Sequence, residues 1–213
     1  PDCQHKCHVV PTFNPAFIYG NWPARRLIKR DITRGKECLK IEGRYEPKWT
    51  FILRPSFAQC TEFLDKTLRE LQAGPKLLAV DIETRRGQIA CVGLAPSKEF
   101  AICIPILDAK NPRGYWSQDE ESLLVDKLRD VLTHPHARII GHNFHYDDSY
   151  FAKCWGFRCN VAHDTMIEWH VLFARWEKSL SFVCSILCER YIYWKDDGKE
   201  WDYSVPEERY WAY

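Results

Sequence analysis

Hydrophobic and polar positions alternate along this chain in two rhythms, and the rhythm changes several times between residues 54 and 191. In "RPSFAQCTEFLDKTLRELQAG" the apolar Phe63, Leu64, Leu68 and Leu71 recur at helical spacing, with a serine near the start and Gly74 as a stop. Three apolar segments follow, "KLLAVDIE", "QIACVGLA" and "EFAICIPI", joined by the short polar links "TRRG" and "PSK". Strands joined so tightly predict an antiparallel meander. "SQDEESLLVDKLRDVLTH" returns to helical spacing, with Leu123, Leu124, Leu128 and Leu132 expected on its inner face. "ARIIGHN" predicts a fourth strand, and "DDSYFAKCWG" a helix closed by Gly156. "HDTMIEWHVLFARW" and "SLSFVCSILCERY" predict two more helices. Before residue 54 the pattern is thinner: a short strand at "CHVVPTF", a helix from about Pro23 to Gly35, then irregular chain.

Three antiparallel strands, a helix, and a strand returning beside the first make an order that resembles the RNase H-like arrangement. The expectation is an α/β fold with a mixed five-stranded sheet flanked by helices and a small N-terminal extension. In that order the ends of the first and fourth strands become neighbours, so residues far apart in sequence meet.

Composition narrows the class. The 213 residues are 46% apolar and 14% aromatic, enough for a real core. No apolar run approaches the length of a membrane span and no signal-peptide pattern opens the chain, so the expectation is a protein with no membrane partner, placed in the cytoplasm. Ten cysteines without CxxC spacing fit a reducing compartment, where Cys91, Cys103 and Cys184 act as small hydrophobes. Cys184 and Cys188 share a helical face, and Cys3, Cys7 and His8 cluster near the start. The net charge of +1 conceals an asymmetry: residues 1–55 carry 11 Lys/Arg against 5 Asp/Glu, and the remainder 19 against 24. A basic leader beside an acidic body suits a phosphate-bearing partner, although an ordinary solvated basic helix at "PARRLIKRDITRGKE" would look the same.

The acidic body has a specific arrangement. In "LLAVDIETRRG" an apolar strand ends in Asp81 and Glu83, and residues two apart on a strand face the same way. Two adjacent carboxylates repel and lose hydration, and a divalent cation between them removes both costs. A strand ending at Gly141 leads through "GHNFHY" to Asp147 and Asp148. An acid at that position can cap a helix, or it can join Asp81 and Glu83 at one spot. Three oxygen donors without a His or Cys cage suit Mg²⁺ or Mn²⁺ rather than zinc.

"VDIET", followed some sixty residues later by "GHNFHYD", resembles the first two motifs of the DEDD (DnaQ-like) 3′–5′ exonucleases, in the form found in proofreading domains of family A DNA polymerases. "HDTMIEWHVL" and "KSLSFVCSILC" are similar to the helices that follow, and "YWKDDGKEWD" and "PEERYWAY" look closest to bacteriophage polymerase-associated exonucleases. The resemblance covers residues 75–213. It implies that Asp81, Glu83 and Asp147 bind a pair of Mg²⁺ or Mn²⁺ ions, with Asp148 facing elsewhere, and that Thr84 and Asn143 contact the terminal nucleotide. It also implies that Tyr213, or else Tyr210, stands for the tyrosine of a Tyr-x-x-x-Asp third motif, whose acid the 213 residues do not include. A form lacking that acid is expected to bind metal weakly and to cleave slowly or not at all. Asp164 is expected to cap a helix, and Asp196 and Asp197 to be loop charges.

The implied domains are a basic extension over 1–55 and an exonuclease domain over 56–213 lacking the end of its third motif. The implied partners are single-stranded DNA or frayed 3′ ends and a polymerase domain or subunit. The alternative is a non-catalytic DNA-binding or structural module of the same fold. "VVPTFNPAFI" also resembles the closing segment of family 4 uracil-DNA glycosylases, but Asn14 stands where that family has histidine. The leader is therefore expected to be a remnant or a DNA-contacting extension without glycosylase activity.

Overall fold

The computed structural model describes residues 9–40, 48–108, 110, 111 and 113–188. The chain divides into two compact units, Pro1–Pro47 and Lys48–Tyr213. In the first, two 3-10 turns (Pro15–Tyr19 and Trp22–Ala24) lead into α1 (Arg25–Cys38). Asn14 starts the first turn by accepting a hydrogen bond from Ala16 N–H. The strand expected at "CHVVPTF" does not form over residues 9–13, which are irregular. They lie along α1 instead, Thr12 donating to Asp31 and Val10 sitting against the bare backbone of Gly35.

The second unit is built on one sheet. Its elements in chain order are β1 (Thr50–Ile52), α2 (Phe57–Ala73), β2 (Lys76–Arg85), β3 (Gln88–Ala95), β4 (Phe100–Pro105), α3 (Gln118–Leu132) and β5 (Ala137–Gly141). Then come α4 (His145–Tyr150), which widens into a π-helical turn at Phe151–Trp155, β6 (Val161–Asp164), α5 (Thr165–Leu172) and α6 (Leu180–Leu187). The six strands run in the order β1-β4-β3-β2-β5-β6, one strand more than expected. β2, β3 and β4 form the antiparallel meander that the hydrophobic pattern predicts, and β5 lies beside β2, as the RNase H-like arrangement implies, in a parallel pairing. β1 and β6 add parallel edges. β6 occupies the start of the segment read as one helix, because Ile140 and Gly141 pair with His163 and Asp164 before the chain turns.

Local chemistry sets the elements. α2 and α3 each begin with a capping box, Ser56 with Gln59 and Ser117 with Glu120, which satisfies otherwise orphaned amides. The β2–β3 hairpin closes on Arg86 and Gly87, both at positive φ, as a two-residue primed turn requires. Gly156 ends the α4 segment in the left-handed conformation. α2 and α3 lie against one face of the sheet, where Leu64, Leu71, Leu124, Leu128 and Leu132 meet Leu78, Val80, Val92, Leu94, Ile102 and Ile104 in one core. Lys127 pairs with Asp65 between the two helices. Leu123, expected inside, is 45% exposed, and Val131 takes the inner position. Helical rotation explains the swap: Leu124, Leu128 and Val131 share one stripe, and Leu123 lies a hundred degrees from its neighbour.

Candidate active site

β2 has two faces with different fates. Leu78, Val80 and Ile82 are buried in the core, while Ala79 and Asp81 are exposed and Glu83 is half-buried on the other side. That other side is the floor of a cleft of about 450 Å³, lined along the sheet by Asp81, Glu83, Cys91, Gly93, Ala101 and Cys103. Gly93 lies directly across from Asp81 in the register, so no side chain crowds that carboxylate. Just beyond Glu83 the register slips, Glu83 facing Cys91 and Thr84 facing Ile89. The skipped residue, Ala90, is a bulge that bends the strand beside the acids. Its carbonyl accepts from both Ile106 and Leu107 N–H, which ties the bulge to the chain leaving β4.

β5 delivers the third carboxylate. Parallel pairing brings Ile140 beside Ala79, so the chain leaving Gly141 rises next to the end of β2. Asn143 turns it at φ 61°, and α4 begins at His145, two residues before the expected start. Asp147 therefore lies inside the first turn and does not cap the helix. It is 4% exposed, and its Oδ1 accepts from Ile82 N–H at 2.9 Å, the amide between Asp81 and Glu83. That bond locks the second carboxylate-bearing segment onto the first. Burial raises the Asp147 pKa to about 7, with the Asp81 charge adding to the rise. The Asp81 pKa is also raised, chiefly by the protein walls that withhold bulk water from the cleft floor. Loss of bulk water thus raises both acids, and the Asp81 charge adds to the rise at Asp147.

Asp148 turns away. It pairs with Arg158 at 2.6 Å and accepts from Cys159 N–H at 2.8 Å, which fastens α4 to the chain after Gly156. Thr84 meets the phenol of Tyr146 at 2.7 Å, a contact that the spacing of "DIET" and "HNFHYD" did not reveal. Asn143 donates its backbone amide to Asp164 Oδ1 at 3.0 Å. Tyr213 and Tyr210, the candidates for the third motif, lie outside the described residues, as do Asp196, Asp197, Cys3, Cys7 and His8. The eight cysteines among the described residues are free thiols.

Asp164 has a larger role than a cap. Its carboxylate caps α5 through Met166 and Ile167 N–H and also accepts from Asn143 and Phe144 N–H, at 2.8 to 3.3 Å. One side chain thus starts α5 and holds the loop that launches α4. His142 reinforces the loop: its Nε2–H donates to the Lys178 carbonyl and its Nδ1 lies 2.8 Å from Thr165 Oγ1. An acid before a helical run announces the cap, but nothing in the local pattern announces the second pair of amides.

The donor chemistry fits a hard divalent cation. Asp81 and Glu83 offer oxygens from one strand face, their charges add to the rise at Asp147, and a cation would relieve that repulsion. As the side chains stand, no three His, Cys, Asp or Glu among the described residues are arranged to hold a metal ion.

Comparison with known proteins speaks to the family and the fold. A family model described as 3′-5′ exonuclease matches residues 55–213. No curated protein matches the chain in sequence. Among solved structures, the catalytic core of RRP6 from Trypanosoma brucei superposes with a TM-score of 0.55 at 14% identity, over 81% of this chain and 46% of that one. The Aedes aegypti Nibbler EXO domain gives 0.54 at 14% identity, over 79% and 84%. Brucella melitensis NrnC with bound Mg²⁺ gives 0.44 at 16% identity, over 62% and 59%. The chain thus spans only part of the RRP6 and NrnC chains, and at these identities the likeness is one of fold, the α/β RNase H-like fold expected. Among the described residues no helix is long and apolar enough to cross a membrane.

Proposed function

The chain belongs to the 3′-5′ exonuclease family, and from that membership we propose that it hydrolyses single-stranded DNA from the 3′ end, including frayed duplex ends, as the proofreading part of a bacteriophage-type DNA polymerase. The observation that supports this most directly is Asp81 and Glu83 on the open face of β2, with Asp147 tied to the amide between them. The DNA and polymerase assignments rest on the resemblance of "VDIET" and "GHNFHYD" to proofreading domains. Two acids on the floor of an otherwise largely apolar cleft also count against a purely structural module.

In this reading Asp81, Glu83 and Asp147 hold two Mg²⁺ or Mn²⁺ ions. When bound, such ions supply positive charge against the phosphodiester and a more acidic water. The rest of the reaction is positioning by the chain. The apolar cleft wall, including Phe51, Leu53 and Ala101, takes the sugar and base of the terminal nucleotide and keeps bulk water away from the scissile phosphate. Thr84, braced by Tyr146, and Asn143, pinned by Asp164, orient that nucleotide. Water attacks phosphorus, the bond to the 3′-oxygen of the penultimate nucleotide breaks, and the proton ends on that oxygen. A 5′-mononucleotide leaves. Tyr213 is assigned to orient the water.

The decisive test is hydrolysis of 5′-labelled single-stranded DNA with Mg²⁺ or Mn²⁺, using a form that extends through the third-motif acid. Stepwise loss from the 3′ end is expected, with Asp81→Ala at least a thousandfold slower, or about 4 kcal/mol of barrier. Asp81→Ala hydrolysing at the parent rate would sink the proposal. RNA of the same sequence distinguishes the substrate, and a preference for it would overturn the DNA assignment.

A further inference from the structure

The family match begins at residue 55, and the first unit has a surface that the hydrolytic site does not use. Over residues 9–40 there are seven Lys/Arg and two Asp/Glu. One of the two acids, Asp31, accepts a hydrogen bond from Thr12. On α1, Arg26, Lys29 and Lys36 are exposed at helical spacing, a cationic stripe about 15 Å long. Beside it, the two 3-10 turns hold aromatic rings outward. Tyr19 is 96% exposed and Trp22 64% exposed. Trp22 is not loose: the Arg25 guanidinium lies 4.4 Å from its ring centroid and donates to the Trp22 carbonyl. One face of the indole is therefore occupied by a cation and the ring is held for contact on the other. Phe13 and Phe17 stack on each other at 5.3 Å, both partly exposed.

Exposed rings cost solvation unless something covers them, and a row of cations alone would suit any polyanion. Exposed rings and cations on one small unit match a ligand with flat apolar faces and a negatively charged backbone. We propose that the first unit is a single-stranded nucleic-acid binding element, with bases stacking on Tyr19 and Trp22 and phosphates meeting Arg26, Lys29 and Lys36. Duplex DNA presents the charge but hides its base faces, so the rings select for single strands. The element binds independently of hydrolysis and would keep a strand associated between cleavage events.

The test is fluorescence anisotropy of the full chain with a short labelled oligothymidylate, in chelator so that no hydrolysis occurs. Tyr19→Ala with Trp22→Ala should weaken binding by about thirtyfold or more, since each ring removed takes away the stacking of one base. Tyr19→Phe with Trp22→Phe retains the ring faces and should retain most of the affinity, which separates stacking from disturbed folding. Arg26→Glu, Lys29→Glu and Lys36→Glu together should flatten the dependence of log affinity on log salt by about 2. Unchanged affinity in the alanine pair overturns the proposal, as does an equal loss in the phenylalanine pair. A defect seen only with acidic phospholipid vesicles would also overturn it. Because binding is read without turnover, failure here is distinguishable from failure of the exonuclease reading, which the Asp81→Ala hydrolysis assay decides.

Discussion

The two faces of β2 divide the work of the molecule. Toward α2 and α3, Leu78, Val80 and Ile82 are sealed among apolar side chains. Toward the cleft, Ala79, Asp81 and Glu83 remain accessible to a ligand. A strand whose side chains alternate can satisfy both demands within six residues, because burial on one face supplies the stability that crowded charge on the other consumes. The amide of Ile82 joins the two sides: its side chain is core, and its N–H holds Asp147. Positions here are therefore expected to separate into those that set stability and those that set rate.

The largest effects should be on rate. Asp147→Asn keeps the shape of the side chain and an acceptor for Ile82 N–H, but removes the charge. Hydrolysis by the extended form should fall by a hundredfold or more, about 3 kcal/mol of barrier, with the fold intact by circular dichroism. Ile82→Ala is the converse. It deletes a nearly fully buried side chain between Asp81 and Glu83, and large-to-small changes of this kind cost about 2–5 kcal/mol. Urea denaturation should show that loss, while Asp81→Ala should leave stability level or improved. Equal destabilisation by both would mean that the two faces are not separate.

The same comparison predicts a pH dependence in chelator. The folded protein holds the Asp147 proton until about pH 7, whereas the unfolded chain releases it near the ordinary value of 3.8. The raised pKa means that stability from this group is full below about pH 4 and is lost as pH rises toward 7. The loss is at most about 4 kcal/mol, and Asp81 pushes in the same direction. Asp147→Asn should remove most of the slope in denaturation midpoint between those values. A wild-type midpoint that climbs through this range would contradict the burial and repulsion assigned to the pair.

Much of this was legible in the residues, and the exceptions share a cause. β2, β3 and β4 announce themselves through apolar runs with short polar links, and Asp81 and Glu83 through their position at the end of such a run. α2 and α3 carry their capping serines in plain view. β1 and β6 do not, since three and four residues at a sheet edge hold too few apolar positions to show a period. The bulge at Ala90 and the meeting of Thr84 with Tyr146 depend on register between distant segments, which no local pattern encodes. Asp147 has the residue type of a cap, so the residues alone place the start of α4 two positions late. The left-handed turn at Asn143 moves the helix start forward and frees that acid for Ile82. Asp164 was read by its nearer pair of amides only.

The smallest expected effect sharpens the comparison most. Asp148 neighbours Asp147 and has the same chemistry, yet its oxygens go to Arg158 and to Cys159 N–H rather than to the cleft. Asp148→Asn keeps an acceptor for the Cys159 amide and removes only the charge opposing Arg158, whose side chain is mostly exposed. With the Arg158 end in solvent and the Cys159 bond kept, the loss of the pair should cost about 1 kcal/mol. The melting temperature should therefore fall by a few degrees at most, and hydrolysis should retain most of its rate. Measured beside Asp147→Asn, the pair asks whether one residue of helical rotation separates chemistry from fastening. If Asp148→Asn proved the slower enzyme, the carboxylate serving the cleft in the working protein would be Asp148, and α4 would have to be rotated by about 100° from the position in which Ile82 N–H meets Asp147.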